Sequence, residues 1–197
     1  MAAHSRYSVN GDEDAVLPNK QEITDPITLS DTEGILLNDS YAYFFDLLDQ
    51  KRITITLPLL FEIHTYFLGT LYTWAGKLRT VDISKNDMMF AASAYLDQSL
   101  KDFEKIFEAN MLLEKDTKTT VAQKIALVHC ELNAIHPFRE GNGRTIRLFL
   151  DLMVGSIGYQ PIDWRVATLK EYLKACVIGM EQNYKPMQKI VLKGLQK

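Results

Sequence analysis

Cysteine is scarce in this chain: of 197 residues, only Cys130 and Cys176 carry a thiol. They are far apart in sequence and each lies in an apolar, helix-like context. That excludes a disulfide framework and predicts two buried free thiols in a reducing compartment. Basic charge is not in excess either. A net charge of −3 argues against direct nucleic-acid binding, which needs a basic face, and against a polybasic membrane anchor. No run approaches the roughly 20 apolar residues of a membrane span. The N-terminal MAAHSRYSVNGDED has no apolar stretch of signal-peptide length. Internal repeats, low-complexity tracts and metal-ligand spacings such as HExxH or paired CxxC are all missing. With 47% hydrophobic and 24% charged residues, the balance is that of a globular domain able to close one core. The expected location is the cytoplasm, with secretion as an effector the alternative.

The chain reads as all-α with one hairpin. Met1 to about Asp25 is polar and turn-rich and is expected as a loosely held arm, which places an arm at 1–28 and a domain at 29–197. Ser30 and Asp31 can cap a first helix, with Glu33 completing a capping box, and Ile35, Leu36, Tyr43, Phe44, Leu47 and Leu48 as its apolar stripe. Pro58 opens a second helix with Phe61, Ile63, Phe67 and Leu71 inward. LRTVDISKNDMMFA then changes character. Leu78, Thr80, Val81 and Ile83 favour strand, Ser84-Lys85-Asn86-Asp87 is turn chemistry, and Met88 to Phe90 is apolar again. A lone hairpin is marginal by itself, so it should serve something other than the core. Helical periodicity resumes at Tyr95. VAQKIALVHCELNAI, apolar on more than one face, looks like a central helix. TIRLFLDLMVGSIGY follows, ended by Gly155 and Gly158. Asp163 can cap a further helix through Leu169, Leu173 and Val177, and Pro186 opens the last.

Between the two most apolar helices stands HPFREGNGRTIR, His136 to Arg147. Gly141-Asn142-Gly143 sits just before a helix, where backbone N–H groups are unpaired and carry the positive end of the helix dipole. Glycine lets those groups converge and lets a phosphate approach without meeting a Cβ. Arg144 and Arg147, three apart, share one face of the first turn and suit a polyphosphate. Glu140 would repel such a ligand unless it held a magnesium ion, which commonly takes one or two carboxylates with phosphate oxygens and water. His136 can accept a hydroxyl proton at neutral pH, and Pro137 would fix it at a helix end. Phe138 is expected as a buried anchor. The segment is neither a P-loop nor a GxGxxG turn, since Ile146 stands where the third glycine would be.

The joint pattern resembles the Fic family, whose signature HxFx[DE]GNGRxxR is matched by His136, Phe138, Glu140, Gly141, Asn142, Gly143, Arg144 and Arg147 at every defined position. LYTWAGKLRTVDISK also looks like the segment leading into that family's flap hairpin, and the resemblance spans roughly Ile53 to Leu195. It implies a helical fold around a helix–loop–helix, and transfer of AMP from Mg-ATP to a Ser, Thr or Tyr hydroxyl of a protein. Carried over, His136 is the general base and Glu140 binds Mg2+. Gly141, Asn142 and Gly143 cradle the phosphates, and Arg144 and Arg147 hold the β- and γ-phosphates. The flap, Val81, Asp82, Ile83, Ser84, Lys85, Met88, Met89 and Phe90, docks the target by strand addition. Tyr184 is a candidate for the border of an adenine pocket, beside an equal reading as packing. Phosphorylating Doc-type relatives carry lysine at the position of Gly143, so the glycine favours AMP transfer. The alternatives are another donor, such as one delivering UMP or phosphocholine, and a non-catalytic nucleotide- or partner-binding scaffold.

One further absence concerns regulation. The family's inhibitory motif [ST]xxxE[GN] is missing, because no Ser or Thr has Glu four residues later. The resemblance then implies a toxin restrained by a small antitoxin that supplies the glutamate. With no secretion domain after the core, an in-house target is expected. Outside the motif, His64 and His129 are expected as satisfied buried histidines, and Glu131 and Asn133 as structural residues before the loop.

Overall fold

The computed structural model describes residues 16–85 and 88–197. The first fifteen residues of the expected arm and the turn residues Asn86 and Asp87 lie outside the described residues. Seven α-helices are described: α1 Pro26–Asp49, α2 Leu57–Leu68, α3 Leu96–Ala109, α4 Lys118–Ile135, α5 Asn142–Gly155, α6 Leu169–Met180 and α7 Lys185–Gly194. Two short strands, β1 Ser84–Lys85 and β2 Met88–Met89, pair antiparallel with Ser84 opposite Met89 and Lys85 opposite Met88. None of the described helices is long and apolar enough to cross a membrane.

The core is built around α4, which packs against α3, α5, α6 and α7. Ten of its residues are buried, on every side of the helix, as expected for an element without a single apolar stripe. Second in centrality is α5, lying on α4, α2 and α1. The loop between these two helices therefore leaves and re-enters the packed centre of the core, which suits a site needing precise geometry. Cys130 and Cys176 are buried and free.

Three local expectations are corrected. The first helix begins at Pro26 rather than near Ser30. Asp25 caps it through Thr28 N–H at 2.7 Å, and Pro26 sits in its first turn, where its missing N–H costs nothing. Glu33 is consequently mid-helix and buried rather than a capping-box member, while Ile35 and Tyr43 of the supposed inner stripe are exposed. Residues ahead of this helix are held down: Lys20 N–H donates to Leu71 O at 2.8 Å, and Val16, Leu17 and Ile23 pack beside Leu29. The strand expected over 78–83 is irregular chain, and the ladder starts only at Ser84, inside the expected turn. Within it the Arg79 side chain takes the Val81 carbonyl at 2.8 Å, and only Ile83 O reaches the opposite leg, accepting from Phe90 N–H at 3.5 Å. Finally, Asp163 caps only a 3-10 turn, Trp164–Val166. The next helix starts at Leu169 under a full capping box of Thr168 and Glu171.

Candidate active site

His136 ends α4 in the left-handed region, at φ 50. That conformation is uncommon for a residue with a Cβ and costs energy the surroundings must supply. Those surroundings are specific. His136 Nδ1 donates to Asn133 O at 2.9 Å, since a carbonyl only accepts, and the lone pair therefore rests on Nε2. Phe90 stacks on the ring at 3.8 Å. Burial, first of all, lowers the pKa of His136 to about 3, reinforced by the charges of Arg79 and Lys85. The imidazole is thus neutral at working pH, with its basic nitrogen defined.

The loop then turns into α5. Gly141 precedes the helix at φ 79, where a side chain would be strained, and a Cβ there would meet Leu68 Cδ1 at 2.7 Å and have to displace it. The first backbone bond of the helix runs from Thr145 N–H to Gly141 O at 3.0 Å. The N–H groups of Asn142, Gly143 and Arg144 precede it and point out of the helix end, an anion-binding arrangement. The Asn142 side chain faces the other way. It accepts from Phe138 N–H at 2.8 Å and donates to Phe138 O at 2.7 Å, so it locks the loop and offers only its backbone outward. Phe138 is fully buried and stacks on His64 at 3.8 Å.

Glu140 is divided. Its Oε1 accepts from Gly141 N–H at 2.8 Å and lies 3.6 Å from Arg144. Its Oε2 is buried with no hydrogen-bond partner. A buried carboxylate oxygen left unsatisfied is costly, and a hard cation drawing its other ligands from phosphate and water would satisfy it. Among the described residues no cluster of three or more His, Cys, Asp or Glu could hold a metal by itself. Arg144 donates to Glu33 of α1 at 2.7 Å and its guanidinium lies 5.1 Å over Phe67. Arg147 lies along the same face, with NH1 at 3.4 Å from both Tyr172 Oη and the position a Gly143 Cβ would take.

The hairpin overhangs this loop. Ile83 and Phe90 are buried beneath it, Val81 is half-buried, and Asp82 accepts from Ser93 N–H at 2.7 Å. Lys85 is half-buried at the edge. Burial lowers its pKa, with Glu140 and Arg144 acting on it in opposite directions. Met89 is largely exposed. The Tyr184 hydroxyl donates to Glu131, joining the start of α7 to α4.

Residues 54–154 match the Fic/DOC family. The chain belongs to the Fic/DOC family. It is 32% identical over 134 residues to the protein adenylyltransferase VbhT of Bartonella schoenbuchensis, covering 68% of this chain and 28% of that one. It is 33% identical over 109 residues to the probable protein adenylyltransferase Fic of Escherichia coli, covering 55% and 54%. The fold matches that of BepC from Bartonella tribocorum, solved with AMPPNP, at a TM-score of 0.75 and 23% identity over 98% of both chains. The chain thus spans about half or less of the first two relatives.

This Fic domain has supporting residues that its signature does not name. Gly76 N–H donates to His64 Nδ1 at 2.7 Å, so His64 Nε2–H donates to Glu140 O at 2.9 Å. This histidine pins the motif backbone, and burial lowers its pKa to about 4. Arg79 anchors the hairpin. Its guanidinium donates to His136 O at 2.8 Å, Val81 O at 2.8 Å, Ile135 O at 3.3 Å and Ala91 O. One cation thereby joins both flap legs to the negative end of the α4 dipole. Arg79→Ala should lower stability by about 2–4 kcal/mol and impair any reaction that needs the flap. An unchanged melting temperature would contradict this.

Acid lability follows from the same burial. His64, His129 and His136 have folded values of about 4, 3 and 3, against about 6.5 when unfolded. The unfolded chain therefore binds three protons that the fold excludes, and stability falls as pH drops below about 6.5. Asp151 acts oppositely: burial raises it to about 6, so the fold retains a proton that the unfolded carboxyl sheds. The net of two protons gives roughly 2–3 kcal/mol of lost stability per pH unit between about pH 6 and 4. Thermal melts across that range should show a steep decline, and a flat profile would refute it.

Proposed function

We propose that this domain transfers AMP from ATP to a Ser, Thr or Tyr hydroxyl of a target protein. The observation that carries the proposal is the conjunction at one helix–loop–helix. A neutral histidine with its lone pair on Nε2, the outward N–H groups at the start of α5, two arginines and a half-satisfied carboxylate all meet there. Both named relatives are protein adenylyltransferases or probable ones. In this reading the triphosphate lies across Gly141, Asn142 and Gly143, with Arg144 and Arg147 on its β- and γ-phosphates.

The target's hydroxyl oxygen attacks the α-phosphorus while His136 Nε2 takes its proton. The bond from the α-phosphorus to the oxygen bridging α and β breaks, and pyrophosphate leaves with the electron pair. Arg144 and Arg147 offset the charge that gathers on it; positioning and electrostatics supply the catalysis. Mg2+ would be held by Glu140 and, when bound, neutralises phosphate charge. The target strand would add to the open edge of the hairpin near Ser84, Lys85, Met88 and Met89, which puts its hydroxyl beside His136.

Regulation in this reading is by a partner in trans. Among the described residues no carboxylate comes within ion-pair distance of Arg147, whereas Arg144 is engaged by Glu33. An antitoxin helix would supply a glutamate to Arg147. The donor is tested by offering the protein ATP, UTP or CDP-choline with Mg2+ and lysate, and reading the mass added to labelled targets. An AMP adduct formed with ATP is expected; UMP or phosphocholine as the preferred adduct would overturn the donor assignment.

A further inference from the structure

Arg147 emerges from α5 into a setting that the signature does not specify. Its guanidinium carbon lies 5.8 Å over the ring of Tyr172, and NH1 reaches the Tyr172 hydroxyl at 3.4 Å. Tyr172 belongs to α6, a helix outside the helix–loop–helix. Its hydroxyl is in turn fixed by His129 Nε2 of α4 at 2.7 Å. The ring is set edge-on between His129 and Trp164, at 5.6 and 5.9 Å with interplanar angles of 85°. So the tyrosine cannot turn away without breaking two aromatic contacts and a partly buried hydrogen bond. A hydroxyl has two acceptor sites and one donor, so it can bond Arg147 and His129 together.

We infer that Tyr172, held by His129, is a positioning residue that sets the direction of Arg147 toward the terminal phosphate of the nucleotide. The inference rests on the proposed placement of the γ-phosphate at Arg147. The physical reason is entropic and geometric. A free arginine has many rotamers, and fixing it on binding costs affinity that a prepositioned one does not lose. Cation–π contact and a charge-assisted hydrogen bond together define both the plane and the reach of the guanidinium. Burial opposes the Arg147 charge, and Tyr172, then Tyr41 and Asp151, outweigh it, so the pKa is raised.

The test is a comparison of Mg-AMPPNP and Mg-ADP binding by titration calorimetry in wild type, Tyr172→Phe, Arg147→Ala and the double variant. The phenyl ring keeps the packing against His129 and Trp164, so the fold persists. Tyr172→Phe should weaken AMPPNP by about tenfold and leave ADP, which has no γ-phosphate, within about twofold. In the Arg147→Ala background it should add nothing to the AMPPNP loss. If Tyr172→Phe weakens both nucleotides equally, or its effect adds fully to that of Arg147→Ala, Tyr172 is only structural and the inference is overturned. If Arg147→Ala itself leaves the AMPPNP-to-ADP ratio unchanged, the γ-phosphate placement fails, and the inference with it.

Discussion

Replacing His136 with asparagine should reduce AMP transfer by about 10²–10⁴-fold while leaving nucleotide binding and the melting temperature nearly intact. The expectation comes from what the imidazole does and does not do. It is not a structural prop whose charge is needed, because burial keeps it neutral, with a pKa of about 3. Its Nδ1–H is committed to Asn133 O, which orients the ring and fixes which nitrogen is basic. Asparagine tolerates the left-handed backbone at φ 50 better than alanine does, so the substitution separates chemistry from strain. Rates are measured with ATP labelled at the α-phosphate, alongside calorimetry with Mg-AMPPNP. Transfer at the wild-type rate would remove His136 as the base. Loss of nucleotide binding together with activity would make it a scaffold residue.

The second large effect belongs to Glu33. Glu33→Ala should destabilise the domain by about 3 kcal/mol, a fall in melting temperature of roughly 6–12 °C for a chain of this size. Glu33 Oε1 accepts from the Tyr72 hydroxyl at 2.8 Å and Oε2 pairs with Arg144 at 2.7 Å. The carboxylate therefore joins α1, the chain after α2, and α5. The side chains are 5% and 26% exposed, so removal leaves an arginine only partly able to reach water, which sets the cost at the low end for a broken buried pair. The double variant Glu33→Ala/Arg144→Ala should lose less than the sum of the single variants, because neither then strands a charge. A fall of under about 2 °C in the single variant would show that Arg144 finds water instead.

Glu33 also shows where a linear reading stops. Ser30 and Glu33 have capping-box spacing, and that signal competes with the Asp25-Pro26 start a turn earlier, which the structure uses. The partner that gives Glu33 its role is 111 residues away, and long-range pairing leaves no local pattern. The same holds for Arg79, whose four acceptors lie on the flap legs and the end of α4. By contrast, the long helices were legible where burial and period agreed. The limits of α4 and α5 follow from Thr117, Pro137 and the glycines around Asn142. The motif loop was legible because its chemistry is contiguous: base, carboxylate, glycine nest and arginines lie within twelve residues. Even there, Asn142 turned out to bond its own loop rather than face a ligand. His64, Tyr172 and His129 support the loop from three helices and carry no mark of it in sequence beyond being polar in apolar surroundings.

The measurement that bears most directly on the whole account is the fate of label from ATP carried at the α- or the γ-phosphate, with Mg2+ and target-containing lysate. In the proposed reading, with Arg144 and Arg147 on the β- and γ-phosphates and His136 as the base, attack falls on the α-phosphorus. Label from the α-position should therefore become protein-bound and acid-stable, and label from the γ-position should be released as pyrophosphate. Protein-bound γ-label without α-label would mean phosphoryl transfer from the opposite end of the nucleotide, and would contradict the orientation of ATP on this loop.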